Sequence, residues 1–272
     1  MSSINNKMSQ GVLKLKELDV SQLNFSDISV NKNGGKIVNL QLSGNPFKLQ
    51  MPNLKTWGIK CFEDQNNPNQ APKYSLNLVF NKENVETDKK VKEALNKLEE
   101  IQNKVKEMLK DDSKAFFNKK AASMDFIDAC FTPFVAKSKD KETQEEDDRY
   151  SHIKTKLNLI KDKDSGQFTE KFVAKLFNKK KDKLVDNENN ELSTTNYDKF
   201  SAGTEAKCVI RPGMVWFIGN KCGLTWDLVQ GMVGDLVQKN NETVCMVLDS
   251  SDDEADTTDG DSDSDDDDTA DN

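Results

Sequence analysis

The stretch GKIVNLQLSGNPFKLQM, residues 35–51, decides the fold class. Apolar side chains at Val38, Leu40 and Leu42 alternate with polar ones, and the same alternation returns after residues 43–45. A period of two is typical of strands with one buried face, and Ser-Gly-Asn between two such runs indicates a tight hairpin turn. The stretch therefore predicts two successive strands of an antiparallel sheet.

Further strand patterns lie on both sides of a helical region. They occupy residues 57–64 and 73–82 before it, and residues 151–178 and 205–238 after it. The third forms a hairpin around Asp-Lys-Asp-Ser-Gly, and the fourth reads as three strands punctuated by Arg-Pro-Gly and Gly-Asn-Lys-Cys-Gly. This order favours a mainly β, α+β protein: an OB-fold-like antiparallel barrel with a long mid-chain helix.

The helical region is predicted from apolar residues that recur at spacings of three and four between Val91 and Met108, which indicates a helix over residues 86–117. A shorter helical segment follows, so we expect a helical insertion at about 86–139 within a domain of residues 25–248. The apolar stripe favours packing against the barrel and leaves homodimerisation through it as the alternative. Residues 1–24 are polar and predict a flexible or loosely docked N-terminal arm.

The charge is distributed unevenly along the chain. Thirteen of the 47 acidic residues and none of the 39 basic ones lie in residues 249–272, so residues 1–248 carry a net charge of +5 within a total of −8. The acidic tail has almost no apolar residues and should stay disordered. A basic body joined to an acidic tail indicates nucleic-acid binding.

Two groups of residues in the tail carry specific expectations. The densest charge is the run Asp265, Asp266, Asp267 and Asp268. Four serines beside carboxylates are candidates for an acid-directed kinase, which would add negative charge to the tail: Ser250, Ser251, Ser262 and Ser264.

Other classes of protein find little support in the sequence. Five widely spaced cysteines and the single His152 predict neither a metal site nor a cofactor, and Cys208 and Cys222, if neighbours, are expected as buried thiols. No phosphate-binding loop or nucleophile elbow is found, so we do not expect an enzyme. Without a secretory signal or a membrane-length apolar run, we expect an intracellular protein that is not secreted and contacts no membrane.

Counting by two along each strand sorts the side chains into two faces. The apolar, inward face includes Val38, Leu40, Phe47, Leu49, Ile59, Leu76, Leu78, Ile153, Leu157, Phe168, Phe172, Ile210 and Ile218. Trp57, Tyr74 and Trp216 fall on that side as well. For these three rings we favour core packing over the alternative of base stacking.

The opposite face combines cations with aromatic rings. The candidate DNA contacts on it are Lys48, Lys60, Phe62, Lys154, Lys156, Lys171, Lys175, Lys207, Arg211 and Phe217, and Phe177 shares the same phase. Cations neutralise phosphates, and exposed rings stack on unpaired bases largely regardless of sequence. The pattern predicts binding of single-stranded DNA. A histone-chaperone-like or other basic-protein-binding module and an RNA-binding protein are the alternatives.

Two segments resemble the single-stranded DNA-binding protein family of nucleocytoplasmic large DNA viruses. They are GGKIVNLQLSGNPFKLQMPNLKTWGIKCFED at residues 34–64 and AKCVIRPGMVWFIGNKCGLTWDLVQGMVG at residues 206–234. That family is related to the acidic-tailed phage-type proteins, although the phage class ends in an aromatic residue and this chain ends in Thr-Ala-Asp-Asn.

The resemblance implies an OB-fold core that binds single-stranded DNA without sequence preference in viral DNA replication, recombination or repair. It also implies that the acidic tail shields the DNA cleft and contacts replication proteins. The expected location is the host cytoplasm, in viral factories, or the nucleus.

Overall fold

The structure, a computed structural model, describes residues 11–30, 35–68, 70–139, 142–186 and 188–236. Within these ranges the chain forms fourteen strands and four α-helices. The strands are β1 (Val12–Lys14), β2 (Leu23–Phe25), β3 (Ser29–Val30), β4 (Lys36–Leu42), β5 (Lys48–Phe62), β6 (Lys73–Asn81), β7 (Phe131–Thr132), β8 (Val135–Lys139), β9 (Glu146–Leu157), β10 (Leu159–Lys161), β11 (Phe168–Phe172), β12 (Lys175–Phe177), β13 (Ala202–Ile218) and β14 (Lys221–Val233). The helices are α1 (Lys82–Thr87), α2 (Lys89–Asp111), α3 (Ser113–Phe117) and α4 (Met124–Cys130).

Five strands close into a barrel. β5 pairs with β6, β6 with β9, β9 with β14, β14 with β13, and β13 returns to β5. Every pairing is antiparallel except that of β9 with β14. The closed barrel with inserted helices confirms the predicted OB-fold-like, mainly β architecture.

The barrel core is filled by the inward residues of these strands, among them Leu49, Leu76, Leu78, Ile153 and Ile210, each of which is fully buried. Two buried hydroxyls also find partners. Thr155 donates to the Leu76 carbonyl at 2.8 Å and Thr56 to the Thr204 carbonyl at 3.0 Å. The core therefore includes polar side chains without leaving their hydroxyls unsatisfied.

The turn at residues 43–45 is tight, as predicted, with positive φ at Ser43 (49°) and Gly44 (77°). The strands that it joins nevertheless separate. β4 pairs with β13, β2 and β3, and a single bridge between Leu42 and Asn45 connects it to the turn. The turn was predictable because its residues are local, whereas the partner of β4 depends on the distant β13.

The predicted helix over residues 86–117 is divided into three. Asp88 ends α1 and caps α2, because its carboxylate accepts a hydrogen bond from the Lys90 amide at 2.7 Å. Asp112 separates α2 from α3. The apolar stripe of α2 is buried within the core, as its spacing indicates.

Residues 11–24, which we expected within a flexible or loosely docked arm, are docked and not flexible. β1 pairs in parallel with the start of β5, and Leu15, Leu18 and Leu23 are buried in the core. Each leucine buried in this way contributes about 1.5–3 kcal/mol, and the three together with the pairing of β1 and β5 favour docking of the segment against the barrel. Residues 1–10, residues 237–248 and the acidic tail, including Asp265–Asp268 and the four candidate phosphorylation sites, lie outside the described residues.

Candidate nucleic-acid interface

A groove runs over the outside of the barrel where β6 and β9 lie side by side. Its volume is about 380 Å³, and we call it the β6–β9 groove. Its lining residues are Phe62, Gln70, Ala71, Pro72, Lys73, Tyr74, Ser75, Lys154, Lys156, Leu157, Asn158, Leu159 and Phe168. The groove thus combines three lysines with two phenylalanines.

Both phenylalanine rings are open to solvent. Phe62 is 59% exposed and Phe168 is 56% exposed. Phe62 ends β5, whereas Phe168 begins β11, so the two rings reach the groove from different parts of the chain. The ammonium of Lys161 lies 5.9 Å from the centre of the Phe168 ring. Exposed rings beside cations provide the chemistry that stacks unpaired bases and neutralises their phosphates.

The lysines face the groove because β9 alternates strictly at its end. Ile153, Thr155 and Leu157 point into the barrel, so Lys154 and Lys156 point out. Partial desolvation lowers the pKa of Lys156, with further lowering from Lys73 and Lys154, while the carboxylate of Asp227 opposes the shift. Neighbouring ammonium groups that disfavour one another's charge mark a local concentration of positive potential, which an anion relieves.

A hairpin outside the barrel positions Phe168. β10 and β11 pair only with each other, around a turn in which the Asp162 carboxylate accepts hydrogen bonds from the amides of Asp164 (3.1 Å) and Ser165 (2.7 Å). Phe172 anchors the hairpin by an edge-to-face contact with Tyr74, with ring centroids 5.2 Å apart. No barrel core lies beneath the start of β11, so Phe168 is at the surface. Our assignment of Phe168 to the inward face is wrong for this reason.

A row of directly opposite residues crosses the five barrel strands. Lys60 lies opposite Ser75, Ser75 opposite Lys156, Lys156 opposite Asp227, and Asp227 opposite Arg211. Residues directly opposite on neighbouring strands point to the same face of a sheet. We call this set the cross-strand row. It extends from the groove to β13, and it carries three cations and one carboxylate.

The structure brings together some of the sequence-predicted contacts. Phe62, Lys154 and Lys156 line the groove, Lys60 and Arg211 belong to the cross-strand row, and Lys171 lies exposed on the hairpin that carries Phe168. Phe177, which the sequence placed on the same face as these residues, lies on the short β12, opposite Met232 of β14.

Three other predicted contacts lie elsewhere. Lys48 is at the opposite end of β5 from Lys60, paired with Val12. Lys175 lies opposite Gln230, and Lys207 lines a separate cavity of about 430 Å³ with Glu205 and Asp235. The predicted lysine face is therefore split, because a barrel turns the outer sides of its strands in different directions.

Phe217 is not an exposed ring. A bulge in β13 between Pro212 and Val215 shifts the alternation by one residue, so Phe217 faces the core and Trp216 faces out. The same shift leaves Ile218, predicted to be inward, 72% exposed. Arg-Pro-Gly, expected to separate two strands, instead forms this bulge within one long β13.

Sequence reasoning missed two groove residues, Lys73 and Phe168. Lys73 precedes the buried Tyr74 on β6, and counting by two from Leu76 and Leu78 places it outside. That signal was present but weak, since Lys73 is the first residue of its strand. The sequence contained no equivalent signal for Phe168.

Of the three rings assigned to the core, Tyr74, Trp57 and Trp216, one is buried and two are not. Tyr74 is buried, which confirms its assignment. A bulge in β5 between Thr56 and Ile59 turns Trp57 outward, where its ring lies 4.7 Å from that of His152. Trp216 covers Gly223, where an added Cβ would lie 2.8 Å from the indole ring. The rings of Trp57 and Trp216 are half-buried rather than part of the core.

Comparison with solved structures finds phage single-stranded DNA-binding proteins. The protein from bacteriophage Enc34 in complex with single-stranded DNA aligns at 12% identity and a TM-score of 0.37, covering 80% of this chain and 97% of that one. Its C-terminal truncation aligns at 14% identity and a TM-score of 0.37, covering 81% and 99%. The crystal structure of gp2.5, a single-stranded DNA-binding protein encoded by bacteriophage T7, aligns at 10% identity and a TM-score of 0.41, covering 72% and 96%.

No family model and no curated protein matches the sequence.

The described cysteines are free thiols, and neither they nor the histidine belongs to a metal-binding cluster among the described residues. In the described part of the chain Cys61, Cys130, Cys208 and Cys222 are free thiols, and burial raises the pKa of both Cys208 and Cys222 to about 12. Thiols of this kind are unreactive at neutral pH. Among the described residues no group of three or more His, Cys, Asp or Glu side chains is arranged to hold a metal, and no helix there is long and apolar enough to cross a membrane.

Proposed function

We propose that this protein binds single-stranded DNA without sequence preference, through the β6–β9 groove and the cross-strand row. The observation that carries the proposal is the pair of exposed rings, Phe62 and Phe168, that line one groove with Lys73, Lys154 and Lys156. Bases in a duplex are already stacked, so exposed rings favour an unpaired strand. Base–aromatic stacking is largely independent of sequence, because every base has a π-face, and this favours binding without sequence preference.

The expected energies follow from the two kinds of contact. Each stacked base contributes about 1–3 kcal/mol, and each phosphate neutralised by a lysine releases condensed counterions, which makes the affinity dependent on salt. Two rings and three lysines together account for binding of a few nucleotides. The row toward Arg211 supplies further phosphate contacts along the same strand.

The test is fluorescence anisotropy with a labelled oligo-dT and the variants Phe62→Ala, Phe168→Ala and the double variant. We expect each single change to weaken binding about tenfold and the double change to weaken it further, because each removes one stacking surface. Tyr150→Ala is the matched control, since Tyr150 is an exposed ring on β9 outside the groove. Equal affinity of the double variant and the wild type would reject the groove as the binding site.

The same assay distinguishes DNA from RNA. Oligo-dT and oligo-rU of equal length are compared, and tighter binding of the DNA supports the proposal. Tighter binding of the RNA would favour the RNA-binding alternative. Binding of basic proteins that requires residues 249–272, with no binding of either oligonucleotide, would favour a chaperone-like function.

We further propose a role in viral DNA replication, recombination or repair, in which the acidic tail contacts replication proteins and competes with DNA. A tethered polyanion reaches an effective concentration of about 1 mM, so even a weak attraction to the basic groove reduces DNA binding. Deleting residues 249–272 should tighten binding of short oligonucleotides at low salt. Unchanged or weaker binding would exclude the competitor role.

A further inference from the structure

Asp227 is the one carboxylate in the cross-strand row, and it lies between two of the row's three cations. It is directly opposite Lys156 on one side and Arg211 on the other. One carboxylate oxygen, Oδ2, accepts hydrogen bonds from Arg211 Nε at 3.3 Å and Nη2 at 3.2 Å. Its side chain is 15% exposed, while that of Arg211 is 51% exposed.

The two partners of this ion pair differ in their exposure to solvent. The guanidinium is accessible to a ligand, whereas the carboxylate lies below it on the strand surface. A guanidinium offers five N–H donors, of which Asp227 uses two. Arg211 can therefore contact a phosphate, but only against the competing charge of Asp227.

We infer that Asp227 is a built-in counter-ion that lowers the affinity of the cross-strand row for the phosphate backbone. It occupies the position that a phosphate oxygen would take beside Arg211, and its charge offsets that of Lys156 on the neighbouring strand. This inference rests on the proposed function and identifies the residue that limits its affinity. It locates a competitor for DNA within the barrel itself.

The expected consequence is that the carboxylate lowers the affinity for short oligonucleotides more than the affinity for long ones. A single phosphate, or a very short oligonucleotide, gains little from a row in which Lys156 and Arg211 already face a carboxylate. A longer strand that also stacks on Phe62 and Phe168 has enough additional contacts to bind despite the carboxylate. Asp227 thus raises the number of simultaneous contacts needed for binding.

The experiment measures oligo-dT affinity for the full-length chain carrying Asp227→Asn, at low and at moderate salt. We expect binding about three- to tenfold tighter at low salt, because one like charge facing the phosphates is removed, with a smaller gain at moderate salt where charges are screened. The gain should be largest for the shortest oligonucleotides. Asp227→Ser is a second neutral variant in case the first does not fold.

Two control variants separate this effect from net charge and from packing. Asp235→Asn removes the same charge from an ion pair with Lys179 of 2.7 Å, outside the groove and the row, and should leave affinity nearly unchanged. Asp227→Glu keeps the charge and should show no gain. Unchanged or weaker binding by both neutral Asp227 variants overturns the inference, as does an equal gain from Asp235→Asn.

The outcomes for Asp227 and for the groove are distinguishable. If neither the wild type nor the Asp227 variants bind oligo-dT, both proposals fail. If the wild type binds and loses affinity on Phe62→Ala and Phe168→Ala, but Asp227→Asn shows no gain, only the counter-ion inference fails. If Asp227→Asn binds more tightly while the phenylalanine variants match the wild type, the inference holds and the groove is rejected.

Discussion

The ring of Phe217 on β13 stacks on the ring of Phe116 in α3, with centroids 5.4 Å apart and planes 8° from parallel. Phe117 adds an edge-to-face contact to Phe217 at 5.8 Å. These contacts join the last strands of the barrel to the inserted helices. They also remove from the DNA-binding candidates a ring that period-two counting had placed on the surface.

Phe217→Ala should therefore change stability rather than DNA binding. Removing a partly buried ring from this cluster should lower the free energy of unfolding by about 2–4 kcal/mol. Urea denaturation measures this loss, and anisotropy with oligo-dT should show unchanged affinity under conditions where the variant is folded. A large loss of affinity without a loss of stability would return Phe217 to the interface.

Gly58→Ala should destabilise the barrel strongly. Gly58 has φ of +73°, and an added Cβ would lie 2.6 Å from the carbonyl oxygen of Phe200, which accepts a hydrogen bond from Ile59. We expect a loss of more than about 3 kcal/mol, combining backbone strain with the displacement of a paired carbonyl. Gly44→Ala is the control, because Gly44 has a similar φ of +77° with open space around it. That variant should lose only about 1–2 kcal/mol, and equal losses would argue against the steric explanation.

His152 should make stability depend on pH. Desolvation, with a contribution from Lys154, lowers its pKa below the ordinary value of 6.5. As pH falls through 6.5, the unfolded chain takes up a proton that the folded protein resists, so the free energy of unfolding should decrease. Melting temperatures are measured for the wild type and for His152→Gln from about pH 7.5 to 5.5, and that of the wild type should fall more on acidification than that of the variant. Parallel curves would show that His152 does not titrate in this way.

The salt dependence of binding should identify the cations that touch DNA. Changing Lys73, Lys154 or Lys156 to Gln should each reduce the slope of log affinity against log salt by about 0.7. Lys48→Gln is the control, since Lys48 lies at the far end of β5, and it should leave the slope unchanged. An equal reduction from Lys48→Gln would indicate a path for DNA along β5 rather than across β6 and β9.

The residues of the groove show how far local patterns extend. Lys154 and Lys156 were placed correctly because the alternation of Ile153, Thr155 and Leu157 is uninterrupted up to the end of β9. Counting failed at Trp57, which lies within a bulge, and at Trp216 and Phe217, which follow one. A bulge depends on the number of residues in the partner strand, which one strand's own sequence does not contain.

The sequence by itself determined the strand and helix patterns, the OB-fold-like class and the outward direction of most cations, because side-chain periodicity is a property of neighbouring residues. The tertiary structure decided which strands meet. It paired β4 with β13, brought Phe168 into the same groove as Phe62, and set Asp227 between Lys156 and Arg211. Barrel closure and register arise from contacts between residues far apart in the chain, so no local pattern records them.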